Sequence, residues 1–307
     1  MSLLLIINPG SRAGRSAPRH EFWSSELSRK GVSFEIIRTV APGHARELAR
    51  TQAGHDMVVA VGGDGTINEV LDGLLLSARV DLTMGILYAG TSPDFCRFHG
   101  IPTEPNAALD VLLAGQVCAV DAVRIQYRGE DGRPLTGHFG CSCSVGMGAA
   151  VASTSNRLRP WLGDALGTGA ALLRALAAQR PVDLHVTVDD ERVDLPRTNH
   201  LMVLKNPHIA SGLKLDLGLQ PADGRLCIVA VHGRSPLGLL RLLPAFYSGR
   251  AAQAEGVFSR SCQRVSIRAE GQADIEFDGD PHGRAPAEVS ILPGALRLQC
   301  ALSGREK

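Results

Sequence analysis

The sequence predicts an α/β domain built on a doubly wound parallel sheet, followed by a β-rich domain. Three observations predict it. Short apolar, β-branched runs alternate with segments of helical period over roughly the first 125 residues. One such run, 57–61, feeds a glycine-rich turn and then an amphipathic segment. Beyond about residue 125, helical periodicity gives way to short β-rich runs separated by turns.

In chain order, residues 3–7 form the first strand and Asn8-Pro9-Gly10-Ser11-Arg12-Ala13-Gly14-Arg15 a loop. A helix from about Ser16 turns Phe22, Trp23 and Leu27 inward, and Gly31 ends it. Residues 32–38 are a second strand, with Val32, Phe34 and Ile36 on one face. A helix over about 43–53 precedes the third strand at 57–61. In the next helix Ile67, Val70, Leu71, Leu74 and Leu75 recur at helical spacing, and Thr66 with Glu69 forms a capping box that predicts a start at Thr66. A strand at 83–88, a helix near 104–114 and a strand at about 117–127 complete the domain. Ligands of such sheets bind at the carboxyl ends of the strands, which selects the loops 8–15, 39–43, 62–66 and 89–95.

In the second half, residues 130–133 read as a hairpin turn, and 182–188 alternate before turning at Asp189-Asp190-Glu191. Further β-rich runs fall at 200–205, 225–232, 263–269, 273–278, 287–292 and 295–302, with helical stretches at about 160–179 and 236–247.

The chain has 307 residues, 44% hydrophobic and 21% charged, enough for one large or two ordinary domains with buried cores. Its formal net charge of +1 excludes an electrostatic footprint for nucleic acid. Lysine occurs only at Lys30, Lys205, Lys214 and Lys307, so a phosphate clamp is expected to be an arginine. The seven cysteines lack zinc or disulfide spacing and read as free thiols of a cytoplasmic protein. The apolar run at 3–7 is too short for a signal core or a membrane span, so any contact with lipid is expected to be peripheral, at the inner membrane face.

Residues 62–69, Gly-Gly-Asp-Gly-Thr-Ile-Asn-Glu, carry the chemistry. A glycine turn entering a helix offers backbone N–H groups and a positive dipole end to a phosphate. Asp64 repels phosphate, so its presence points to a metal, a sugar hydroxyl or proton transfer. This octapeptide resembles the GGDGT-x-NE signature of the diacylglycerol kinase catalytic-domain superfamily, which includes soluble bacterial lipid kinases and sphingosine kinases, with NAD kinases as distant relatives. The resemblance implies a nucleotide-binding α/β domain over 1–125, to which residues 293–307 would return, and a β-sandwich-like lipid or substrate domain over 126–292.

It also implies site residues. Asn8, Ser11 and Arg15 match the family's opening loop, although Arg12 stands where the family has glycine. Thr39, Gly62, Gly63, Asp64, Gly65, Thr66, Asn68, Glu69 and Thr91 would complete the ATP site. Gly90-Thr91-Ser92-Pro93-Asp94-Phe95 matches GT-x-N-D-F except at Pro93, and puts Asp94 beside Asp64 in catalysis. Asp223 and Asp121 would belong to a magnesium site. In Asp278-Gly279-Asp280 the last carboxylate would be the general base, one methylene shorter than the family's glutamate. The expected activity is ATP- and Mg2+-dependent phosphorylation of a hydroxyl on diacylglycerol or a related lipid alcohol, by a chain for which a homodimer stays open. An NAD kinase, a kinase of a non-lipid alcohol and a non-catalytic nucleotide- or lipid-binding relative are the alternatives.

Overall fold

The computed structural model describes residues 1–146, 180–209 and 213–301. The chain divides into two compact units. One holds Met1–Ala122 and the stretch from Pro293; the other holds Val123–Ile209 and Leu213–Leu292.

The first unit alternates strand and helix: β1 (Ser2–Ile7), α1 (Ala17–Arg29), β2 (Ser33–Arg38), α2 (His44–Thr51), β3 (Met57–Gly62), α3 (Asp64–Leu76), β4 (Thr83–Tyr88), α4 (Asp94–Phe98), α5 (Pro105–Ala114) and the start of β5 (Gln116–Arg128). β1 lies between β2 and β3, β4 flanks β3, and all four are parallel. β3 and β4 are buried throughout, because helices cover both faces of a parallel sheet; hence their unbroken apolar runs. β2, on the edge, is half-exposed. The core packs Leu3, Leu5, Val59 and Val61 against Trp23 and Leu27 of α1 and Leu109 and Leu112 of α5. Trp23 Nε1 donates to the Pro105 carbonyl at 3.0 Å, so the buried indole keeps a partner. From the far end of the sequence, Arg297 and Leu298 pair in parallel with Thr83 and Met84 of β4. The winding of the sheet reverses between β1 and β3, and ligands of open α/β sheets bind at the carboxyl ends beside such a reversal.

The second unit contains β6 (Pro134–Phe139), β7 (Ser142–Gly146), β8 (Val182–Val188), β9 (Glu191–Leu204), β10 (His208–Ile209), β11 (Leu213–Lys214), β12 (Leu226–His232), α6 (Pro236–Tyr247), β13 (Val257–Cys262), β14 (Arg264–Glu270), β15 (Asp274–Phe277) and β16 (Asp280–Cys300). Antiparallel pairings run β13-β12-β9-β7-β15-β16. β14 joins β16 to β8, and β8 pairs with β9, so the circuit closes on itself. Alternation sorts the faces: Leu184, Val186 and Val188 enter the core with Val203, Ile228, Ile267 and Ile275, while Asp183 and His185 face out.

Two elements differ from expectation. α3 begins at Asp64 with Gly63 as N-cap, and no capping box forms. The runs at 287–292 and 295–302 belong to one strand, β16. Pro293-Gly294 does not break it; Gly294 takes a φ of 60° and its amide donates to Asp121 Oδ1 at 2.9 Å. The helical stretch expected at 160–179 lies outside the described residues.

Candidate functional site

Two strand ends, those of β1 and β3, border the switch point of the first unit. Asn8 follows β1, and its backbone N–H donates to the Val61 carbonyl at 3.0 Å. Its side-chain Nδ2 donates to Thr66 Oγ1 at 3.0 Å, while its Oδ1 accepts the Gly10 amide at 2.9 Å. One asparagine thereby ties the opening loop to the first turn of α3. Ser11 starts a 3₁₀ turn, Ser11–Gly14. Its buried Oγ finds no hydrogen-bond partner among the described residues. Arg12, in the family's glycine position, adopts a left-handed φ of 53°, so a side chain tolerates the conformation glycine would take at lower cost. Arg15 is exposed, with Nε donating to the Arg12 carbonyl at 3.2 Å.

The turns after β3 and β4 touch backbone to backbone, and glycine makes this feasible. A Cβ on Gly62 would strike the Thr66 side chain; one on Gly63 would lie 3.2 Å from Gly90 Cα; one on Gly90 would strike Gly63 Cα and the Tyr88 ring. Across this contact the Ala89 amide donates to the Gly62 carbonyl at 2.7 Å, and the Asp94 amide donates to Asp64 Oδ2 at 3.2 Å. The structure thus brings Asp64 and Asp94 together. The Asp94 carboxylate accepts from Ser92 Oγ at 3.0 Å and from Arg97 at 3.2 Å. Pro93 is the N-cap of α4, where the helix itself requires no N–H. Burial, reinforced by the charge of Asp64, pushes the Tyr88 phenol pKa well up.

The remaining expected ATP-site residues are less uniform. Thr91 is exposed and Thr39 half-exposed, its amide donating to the Ile7 carbonyl at 2.9 Å. Gly65 and Thr66 lie in the first turn of α3, and Asn68 is buried one turn on. Glu69 is a correction. Its Oε1 accepts the Gly43 amide at 2.8 Å and its Oε2 the Ala45 amide at 3.0 Å, so it caps α2 rather than facing a nucleotide.

In the second unit Asp280 heads β16, exposed, opposite Phe277 across the two-residue turn Asp278-Gly279. Both turn residues have positive φ, 47° and 90°, as a tight hairpin of matching twist requires. Asp278 accepts the amides of Gly140, Cys141 and Ser142 at 3.0, 3.0 and 2.9 Å. Burial pushes its carboxyl up to about 6, against the downward pull of those three donors. Beside it, burial also raises the pKa of Glu276, which accepts from Ser144 Oγ at 2.7 Å and is raised further by the charge of Asp280. Sequence reasoning gave Asp278 and Glu276 no role. The signal was available in the Asp-Gly turn, whose first residue points a carboxylate at whatever strand end lies beneath.

The magnesium contact expected at Asp223 is a second correction. Lys205, 1% exposed, puts its Nζ 2.6 Å from Asp223 Oδ1, 2.7 Å from the Gln220 carbonyl and 3.3 Å from the Arg225 carbonyl. The amides of Gln220 and Arg225 donate to the same carboxylate at 2.9 and 3.0 Å. Oxygens that could ligate a hard cation surround an ammonium, so a magnesium ion does not fit. Asp121 is likewise used in holding Gly294. Among the described residues no cluster of three or more His, Cys, Asp or Glu side chains is placed to hold a metal, and all seven cysteines are free thiols. Among the same residues no helix is long and apolar enough to cross a membrane.

Comparison with known proteins matches residues 2–125 to the diacylglycerol kinase catalytic domain and residues 141–300 to the YegS C-terminal NAD kinase beta sandwich-like domain. A diacylglycerol kinase of Mycobacterium tuberculosis is 28% identical over 296 residues, covering 95% of this chain and 93% of that protein. A probable lipid kinase YegS-like protein of Pectobacterium atrosepticum is 25% identical, covering 97% of each. Among solved structures, a putative diacylglycerol kinase from Bacillus anthracis superposes with a TM-score of 0.78 at 19% identity, over 97% of both chains. With an aspartate-bearing glycine turn at the switch point of its parallel sheet and both family models accounting for its length, the chain belongs to the diacylglycerol kinase catalytic-domain superfamily, a family of lipid kinases that transfer a phosphoryl group to an alcohol.

Proposed function

We propose that the chain transfers the γ-phosphoryl group of ATP to a hydroxyl of diacylglycerol or a related lipid alcohol. The observation that carries this reading is the backbone contact of Gly63 with Gly90, which brings Asp64 and Asp94 together at the carboxyl ends of β3 and β4, next to the switch point between β1 and β3. The first-turn amides of α3 receive a phosphate, since a helix start has no acceptors of its own for them. Arg15 adds charge, and Ser11 Oγ supplies a donor that is otherwise unsatisfied. Asn8, Thr39 and Thr91 border the nucleotide. Asp64 and Asp94 orient the phosphates and the acceptor. Asp280 takes the proton of the attacking hydroxyl as its oxygen bonds the γ-phosphorus; the bond from that phosphorus to the bridging oxygen breaks and ADP leaves. Asp278 and Glu276 position Asp280 through the rigid hairpin. Asp64 and Asp94 are the carboxylates that would face a Mg2+ carried on the nucleotide's phosphates, and such an ion would supply charge neutralisation for the transferred group.

Asp64→Ala and Asp280→Asn are each expected to lower phosphoryl transfer by at least about a thousand-fold while the circular-dichroism spectrum and melting temperature stay unchanged. The assay is radiolabel transfer from ATP across diacylglycerol, sphingoid bases, ceramide, polyprenols, water-soluble alcohols and NAD. Transfer to NAD alone would replace the lipid reading, and full activity of either variant would remove that residue's role.

A further inference from the structure

Helix α6 is apolar on both faces. Ser235 caps its start, accepting the Gly238 amide. Leu239 and Leu242 turn inward onto Val231, with Phe246 and Val257 packed against them. That face accounts for the helix's place in the unit. Among the described residues, the opposite face carries large apolar side chains left exposed. Leu237 is 58% exposed, Leu240 37% and Tyr247 75%, with Pro244 exposed between them. Positions 237, 240, 244 and 247 follow one another at helical spacing, so they make a continuous stripe rather than scattered residues. Exposed apolar side chains occurring singly are ordinary, whereas a stripe three turns long is not.

The charge around the stripe identifies what covers it. From Gly224 to Ala254 the chain contains no aspartate or glutamate, but it contains Arg225, Arg234, Arg241 and Arg250. Arg241 and Arg250 are exposed, and Arg241 borders the stripe on the helix itself. A second protein surface would be expected to ask for both signs of charge. An apolar stripe bordered on its own segment by arginines alone and ending in an exposed tyrosine, with the exposed Asp216 beside its far end where its amide donates to the Gly249 carbonyl at 2.8 Å, matches the boundary of a bilayer that carries anionic headgroups. We propose that α6 is the membrane-docking element of this chain. It lies in the plane of an anionic bilayer, with Leu237, Leu240, Pro244 and Tyr247 among the acyl chains and Arg241 and Arg250 among the headgroups. The choice of a bilayer as the occupant rests on the lipid-alcohol reading of the site, because such an acceptor resides in a membrane.

The test is co-sedimentation of the full chain with phosphatidylglycerol–phosphatidylcholine vesicles and with phosphatidylcholine vesicles alone. Leu240→Asp combined with Tyr247→Ala is expected to weaken binding to the anionic vesicles by at least about ten-fold, the order set by keeping two apolar side chains in water. Arg241→Glu with Arg250→Glu is expected to abolish the preference for anionic over neutral vesicles and its sensitivity to salt. Both variants should keep the wild-type melting temperature, since the inner face is untouched, and should phosphorylate a dispersed short-chain acceptor at the wild-type rate. Unchanged vesicle binding in both variants overturns the proposal. So does a wild-type dimer that the first variant dissociates without loss of vesicle binding, because the stripe then covers a second copy. Vesicle binding that depends on α6, without phosphorylation of any lipid, would leave the docking helix standing and remove the lipid-kinase reading instead.

Discussion

Lys205 follows the last residue of β9 and is the largest polar side chain among those that are fully buried. A buried ammonium survives only if oxygens replace its water. Here they are the carbonyls of Gln220 and Arg225 and the carboxylate of Asp223, itself only 11% exposed. The lysine therefore serves as a tethered cation for the turn that precedes β12. Replacing it by methionine keeps the volume and strands the carboxylate. Lys205→Met is expected to lower the unfolding free energy by about 3 kcal/mol, the usual cost of removing one partner from a buried pair. Urea denaturation at pH 7 measures this. EDTA and millimolar Mg2+ should leave the wild-type transition where it is; a wild-type melting temperature that falls with EDTA would mean that a metal, not the ammonium, holds the turn. The family resemblance implied a magnesium contact at Asp223, and nothing local argues against it, because a carboxylate in a turn looks the same whichever cation it meets. The partner lay eighteen positions upstream at the end of an apolar run, and only folding brings the two together.

At the scale of elements, the β15–β16 hairpin joins local turn chemistry to a long-range hydrogen-bond clamp. Asp278 takes a positive φ, then binds three successive amides of the 140–142 segment. Burial pushes the folded carboxyl up to about 6 from an ordinary 3.8. Between about pH 4 and pH 6 the folded protein therefore keeps a proton that the unfolded chain has released, so stability from this group is greatest below pH 4 and declines as pH rises to 6. Asp278→Asn removes the titration. The stability difference between wild type and variant should shift by something on the order of 1–3 kcal/mol across that window, with the wild type losing ground as pH rises. Chemical denaturation at half-unit steps from pH 4 to 7 measures it; parallel curves would show that Asp278 is ionised throughout. The parallel strands were legible from their apolar runs because that signal is local, and Asp278-Gly279 carries a hairpin signal of the same local kind. The start of α3 was misread for the same reason. Thr66 and Glu69 have the spacing of a capping box, but Asn8 holds the threonine and α2 holds the glutamate, two competitors that no window of eight residues contains.

At the scale of the molecule, the first unit is completed by residues from the far end of the sequence. Period-two patterning in 295–302 predicts a strand but not its partner, since a pairing some two hundred residues away leaves no local mark. The partner is β4, through Arg297 opposite Thr83 and Leu298 opposite Met84. Gln299 Nε2 donates to the Val111 carbonyl at 3.3 Å, linking the same stretch to α5. Leu296 and Leu298 are 2% and 0% exposed. Burying each contributes about 1.5–3 kcal/mol, and together that is a large fraction of the roughly 5–15 kcal/mol that holds an ordinary domain. Removing the strand also bares the backbone of β4, whose β-branched and apolar surface would become an unprotected edge. A chain ending at Leu292 is thus expected to lose the cooperative unfolding of its nucleotide-binding unit. Protease should then cleave within residues 1–122, and ATP should no longer slow that cleavage. The second unit contributes none of Leu296, Leu298 or their partners, so its strands from β6 to β15 should stay protected in the same digest. Equal protection of residues 1–122 in the full and shortened chains would show that the parallel sheet stands without its last strand.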